Sequence, residues 1–142
     1  MDLSPMQLQN AVDTFGLSLA YARQYFQHSK MVVVYIPSVI SIYAVEGAKV
    51  SVQNLLNDDT VFDTAAVGAR SVWIRQQVKH ICENQNVRFL DVTADLQAAA
   101  KQETIHGPQD WNHFGKKGYQ VLGESVVRQM GSEWPTVEKN QQ

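Results

Sequence analysis

The run from Met31 to Ile36 is the feature that most constrains the fold of this chain, because it is continuously apolar and mostly β-branched. Such a run is typical of a strand buried on both faces, as in a parallel sheet. Pro37 and Ser38 end it. A second run, at 87–92, in which four apolar residues are interrupted by Arg88 and Asp91, predicts a second strand.

Helices are predicted before, between and after these strands. Ser4 and Pro5 begin the first, with a capping side chain followed by a proline at the first helical position. Further helices are predicted at 64–84, 94–101 (with Thr93 as N-cap) and 115–130, and a short one near 52–56. The faces expected to be buried are Leu8, Val12, Phe15, Leu19, Ala22 and Phe26 in the first helix and Tyr119, Leu122, Val126 and Met130 in the last.

Strands that alternate with helices predict parallel pairing and a layered α/β domain. Two strands make a very small sheet. Either a further strand escapes prediction, or another chain or segment completes the sheet. We expect one domain over 1–132, followed by a polar C-terminal tail at 133–142.

Composition narrows the class of protein and the partners. The chain has 142 residues, of which 44% are hydrophobic and 18% charged, as is ordinary for a globular domain. Its net charge is −2 and no stripe of Lys or Arg is present, which argues against nucleic acid and anionic membranes as partners. No leader pattern or membrane-length apolar run is seen, so a cytoplasmic protein is expected. The single cysteine, Cys82, is predicted to be an inert core thiol.

The loop before the last helix carries the most informative chemistry. Asp110 lies three residues before His113, a spacing at which a carboxylate can orient an imidazole and stabilise its cation. The imidazole can then act as general base toward a hydroxyl nucleophile. In α/β sheets such loops lie at the carboxyl ends of strands, where sites form.

Asp110-x-x-His113, with Gly118 and Tyr119 opening the last helix, resembles the final conserved block of the SGNH (GDSL-type) hydrolases. The run at 89–93 and the short helix after it are similar to that family's last strand and its connection. The first strand, with Ser38 and Tyr43 after it, resembles a strand of relatives that act on O-acyl groups of carbohydrates.

The resemblance implies a three-layer, flavodoxin-like parallel sheet, here small or truncated, with no cofactor. It also implies that Asp110 and His113 activate a serine for ester hydrolysis or acyl transfer. In the family that serine lies in an upstream Gly-Asp-Ser motif, which this sequence lacks. The chain therefore looks like the C-terminal part of such a fold without its nucleophile block.

Ser38 is the candidate substitute nucleophile, because it follows a buried strand at the end where sites form. A Pro-Ser pair there is also an ordinary turn, and no nucleophile-elbow glycines flank it. Trp111 and Asn112 are assigned to substrate binding, although Trp111 would equally cover the edge of the core. Weaker candidates for the nucleophile are Ser41, Ser51 and Ser71.

A metal site is the lesser alternative for the same loop. His106, Asp110 and His113 would converge on a helix, but Gly107 and Pro108 argue against a helix there. No metal is therefore expected.

Two functions stay open at this point. The first is an SGNH-type esterase or acyltransferase acting on a small O-acyl substrate, with the serine supplied by Ser38, a partner chain or another segment. The second is a non-catalytic α/β remnant that associates with itself, as a homodimer, or with another protein through faces that would otherwise be exposed.

Overall fold

The structure, a computed structural model, describes residues 3–53, 59–107 and 112–131 of the chain. In chain order its elements are α1 (Pro5–Tyr25), β1 (Val32–Tyr35), α2 (Val39–Ile42), β2 (Lys49–Gln53), β3 (Asp59–Asp63), α3 (Thr64–Asn84), β4 (Arg88–Asp91), α4 (Thr93–Ala100) and α5 (Lys116–Met130).

The two predicted strands pair with each other in parallel. Val32 lies opposite Arg88 and Tyr35 opposite Asp91, so β1 and β4 end at the same edge of the sheet. This confirms the mixed α/β architecture. Over the described residues the parallel sheet has these two strands, and the fuller flavodoxin-like sheet is not seen.

A separate antiparallel pair was not expected from the sequence. β2 and β3 pair from Lys49 opposite Asp63 to Gln53 opposite Asp59. The prediction of a short helix near 52–56 is therefore wrong for Val52, which lies in β2, while 54–56 fall outside the described residues. Val50 and Val52 alternate with polar residues in β2, and this alternation has the period of a strand.

Helices cover both faces of the parallel pair, because successive side chains of a strand point to opposite sides. Val33 packs with residues of α1 and α3, including Leu19 and the fully buried Cys82. Its neighbour Val34 packs on the other side, with residues of α2, α4 and α5 around Leu96. Helices therefore pack against both sides of the two-stranded parallel sheet.

The ends of the long helices follow their capping residues. The Ser4 hydroxyl accepts from the Gln7 N–H at 3.3 Å, while the Gln7 side chain accepts from the Ser4 N–H at 2.9 Å. Asp63 caps α3 by accepting from the Ala66 N–H at 2.8 Å. Each contact satisfies an N–H that the helix itself leaves unpaired, so these starts are locally encoded. At α4 the N-cap is Val92, and the predicted cap Thr93 is the first helical residue.

Two predicted core residues are exposed instead. Phe26 is 58% exposed, because α1 ends at Tyr25 and the chain leaves the helical path there. Tyr119 is 55% exposed and contacts the edge of Phe114 at the rim of the domain. Within the described part of the chain, no helix combines the length and apolarity needed to cross a membrane.

Candidate functional site

A cavity of about 330 Å³ lies where β1 ends and α5 is about to begin. Its size is at the lower end of the range for small-molecule sites, and its lining is mainly apolar with a few polar groups, as such sites usually are. The lining residues are Ile36, Pro37, Ser38, Val39, Ile40, His106, Asn112 and Phe114.

Ser38 lies at the first polar position after β1, where it is the N-cap residue of α2. Its hydroxyl makes no capping hydrogen bond to the helix and instead lies 2.8 Å from the Ser41 hydroxyl. The side chain is exposed at the cavity. The predicted nucleophile is therefore an accessible hydroxyl that the short helix does not use for its own stability.

The loop that carries the predicted dyad is described in part. Asn112 lines the cavity with Ser38, whereas His113 is exposed and is not among the residues that line the cavity. The Gly107 N–H donates to the His113 carbonyl at 3.0 Å, which ties the two arms of the loop together. Asp110 and Trp111 lie outside the described residues, so their roles stay predictions.

The start of α5 holds the second arm of this loop in place. The Gly115 N–H donates to the Ile105 carbonyl at 2.9 Å. A Cβ on Gly118 would lie 2.4 Å from the same carbonyl oxygen and 2.6 Å from the Phe114 ring. Only glycine allows this approach, so Gly118 lets α5 pack closely against the loop.

Sequence reasoning missed the hydrogen-bonded pair of Tyr43 and His106, of which His106 lines the cavity. The Tyr43 hydroxyl lies 2.8 Å from His106 Nδ1. The same oxygen accepts from the Ile105 N–H at 3.0 Å and from the His106 N–H at 3.2 Å. The His106 ring also packs against Phe114, with ring centroids 4.6 Å apart.

These contacts decide the protonation of the His106 ring. A phenol oxygen has two lone pairs and one O–H, and both lone pairs face backbone N–H groups. The Tyr43 O–H must then donate to Nδ1, so the proton of the neutral ring lies on Nε2. Burial lowers the pKa of His106, because removal from water disfavours the imidazolium form. His106 is thus a neutral hydrogen-bond donor and a poor general base.

The sequence contained one signal for this pair: Tyr43 follows the first strand and was part of the resemblance. Its partner could not be identified, because 63 residues separate the two in the chain. His106 had been weighed as a metal ligand with Asp110 and His113. Over the described residues no group of three metal-binding side chains is present, and Asp110 lies outside them.

Other candidates from the sequence take structural positions. Cys82 is fully buried, and burial, with a smaller effect of the Glu83 carboxylate, raises the pKa of its thiol. Ser71 lies on α3, where its carbonyl accepts from the Tyr35 hydroxyl at 3.3 Å. Ser51 lies in β2, away from the cavity lining. Ser38 thus has the strongest position among the predicted hydroxyls.

Comparison with known proteins adds no relative: no family model, no curated protein and no solved structure matches this chain.

Proposed function

We propose that the cavity at the end of β1 is the acyl-binding site of an SGNH-type hydrolase, which cleaves or transfers small O-acyl groups. One observation carries the proposal: Ser38 and Asn112, distant in the sequence, line one cavity at the carboxyl end of the parallel pair. The helices on both faces of that pair support an SGNH-like, flavodoxin-like arrangement of layers.

In the proposed reaction the Ser38 oxygen attacks the ester carbonyl and its proton passes to the His113 imidazole. Asp110 orients that imidazole and stabilises its positive charge. The proton then passes from His113 to the departing alkoxide, leaving an acyl group on Ser38. Water, deprotonated by His113, releases the acid, and an acceptor hydroxyl in its place gives acyl transfer.

Hydrolysis of p-nitrophenyl acetate tests this proposal. We expect turnover above buffer, with Ser38→Ala reducing it to background and His113→Ala reducing it by about 10²–10⁴-fold. Ser41→Ala is the matched control, because it removes the hydroxyl that faces Ser38 and leaves the proposed nucleophile. Equal activity in the Ser38→Ala variant and the unaltered protein would overturn the role of Ser38.

A second candidate function is self-association without catalysis. Leu17, Tyr21 and Tyr25 are 74%, 64% and 72% exposed, and they repeat at every fourth residue of α1. This spacing places them on one face of the helix, opposite the face that packs toward α3. Large exposed apolar side chains in one row favour a protein partner, and a second copy of the chain is the proposed one.

A further inference from the structure

We propose that His106 holds the carbonyl oxygen of a neutral acyl ligand in the cavity by donating its Nε2–H. This inference rests on the proposed function for the nature of the ligand, since an ester substrate has such an oxygen. It assigns a binding and specificity role to a histidine outside the predicted dyad.

The direction of the His106 ring determines which nitrogen can reach a ligand. His106 lines the cavity, whereas Tyr43, which holds Nδ1, is not among the lining residues. In the proposed arrangement the Nδ1 edge faces Tyr43, and the opposite edge of the ring, which carries Nε2, faces the cavity. Among the described residues, no hydrogen bond to Nε2 is present.

The His106 ring is held rigidly by its neighbours. His106 is only 7% exposed. Its ring packs against Tyr43 and Phe114, with ring centroids 5.4 and 4.6 Å from its own. Its tautomer is fixed by the Tyr43 O–H, so the donor needs no rearrangement when a ligand arrives. Donors held in place before binding are the ones that add most to the affinity for an acceptor.

The cavity lining determines which class of ligand His106 can bind. The cavity around His106 has apolar walls from Pro37, Ile40 and Phe114, and the described residues that line it include no Lys or Arg. A carboxylate would lose its hydration without gaining a counter-charge, whereas a neutral carbonyl loses less and gains the Nε2–H bond. The ligand class is therefore a short-chain ester, ketone or amide.

The test uses two ligands that differ in one atom group. Hexan-2-one has a carbonyl oxygen, and 2-methylhex-1-ene has a CH₂ group in its place. Binding of each to the full chain is followed by NMR titration. We expect the ketone to bind about three- to tenfold more tightly, the effect of one net hydrogen bond. Equal binding of the two, or no binding of either, would overturn the inference.

Two variants separate this role from a merely structural one. His106→Gln keeps an N–H near the position of Nε2, whereas His106→Asn keeps an acceptor for Tyr43 and has no group that reaches the cavity. We expect His106→Gln to retain the preference for the ketone and His106→Asn to lose it. A structural role would give the opposite order, with the preference retained in His106→Asn and lost in His106→Gln.

The binding experiment does not depend on turnover, which keeps this inference separate from the proposed function. Ketone preference without hydrolysis of p-nitrophenyl acetate would leave the donor role of His106 standing and overturn the esterase proposal. Hydrolysis without ketone preference would do the reverse.

Discussion

His106 and His113 are seven positions apart in the chain and have different surroundings. His106 is buried and fixed as a neutral donor by Tyr43, whereas His113 is exposed on the loop before α5. Burial and a fixed donor oppose protonation of His106, so the general base of the proposed reaction is His113. From the sequence alone, only the position of Asp110 favours His113 over His106 as the general base.

Gly118 offers a sharp test of the loop geometry at the level of one residue. Gly118→Ala would force a methyl group onto the Ile105 carbonyl and the Phe114 ring, so we expect about 1–3 kcal/mol lower free energy of unfolding. Gly123→Ala is the matched control in the same helix, because a Cβ there meets nothing within 4 Å. It should raise the free energy of unfolding by up to about 1 kcal/mol. Urea denaturation measures both, and equal effects would refute the close approach.

Asp95 should make stability fall at acid pH. The Ser125 hydroxyl donates to its carboxylate, and this bond, with the Arg128 guanidinium, lowers the pKa of Asp95. A carboxylate with a lowered pKa contributes stability that is present above its unfolded pKa, about 3.9, and lost as pH falls through the folded value.

Asp95→Asn should therefore flatten the decline in the urea midpoint below about pH 4. Glu46→Gln, which makes the same change in charge at an exposed loop position, should leave the decline as it is. If Asp95→Asn and the unaltered protein lose stability in parallel, the paired carboxylate is not the cause.

The elements show which parts of the fold were encoded locally. The caps at Ser4 and Asp63 involve residues at most three positions apart, so the starts of α1 and α3 could be read from the sequence. The same holds for β1, whose run of apolar residues is continuous, and for β4, where Phe89 and Leu90 lie at the centre of the strand. Phe26 and Tyr119 were misplaced because helical spacing gives the direction of a side chain and says nothing about how far the core extends.

Pairing between distant elements could not be predicted. The β2–β3 pair depends on a hairpin whose alternation is short, and the Tyr43–His106 contact joins two loops through the tertiary fold. The sequence therefore predicted only part of the candidate site. The loop and Ser38 were identified, whereas the proposed hydrogen-bond donor His106 was not.

The exposed face of α1 leads to a prediction at the level of one element. If a second copy covers it, Leu17→Glu combined with Tyr21→Glu should convert a dimer to a monomer in light scattering, because charges would be buried at the interface. Ala11→Glu adds charge at an exposed position of α1 away from that row and should leave the dimer intact. A monomer at all concentrations in the unaltered protein would reject self-association.

At the scale of the whole molecule, the two apolar clusters on opposite faces of β1 and β4 hold the site. Val33 belongs to one and Val34 to the other, so the strand is fixed from both sides. The carboxyl end of β1 then presents Ser38, and the loop seated by Gly118 brings Asn112 to the same cavity. A small sheet is thus sufficient to bring two distant segments into one site.

Labelling with a fluorophosphonate tests the central claim most directly, because this reagent modifies serines that a neighbouring base has activated. We predict one modified serine, identified as Ser38 by mass spectrometry of the digested protein, with labelling abolished in His113→Ala and retained in Ser41→Ala. No labelling of the folded chain, or labelling of another serine, would contradict the account of the cavity as an SGNH-type ester site.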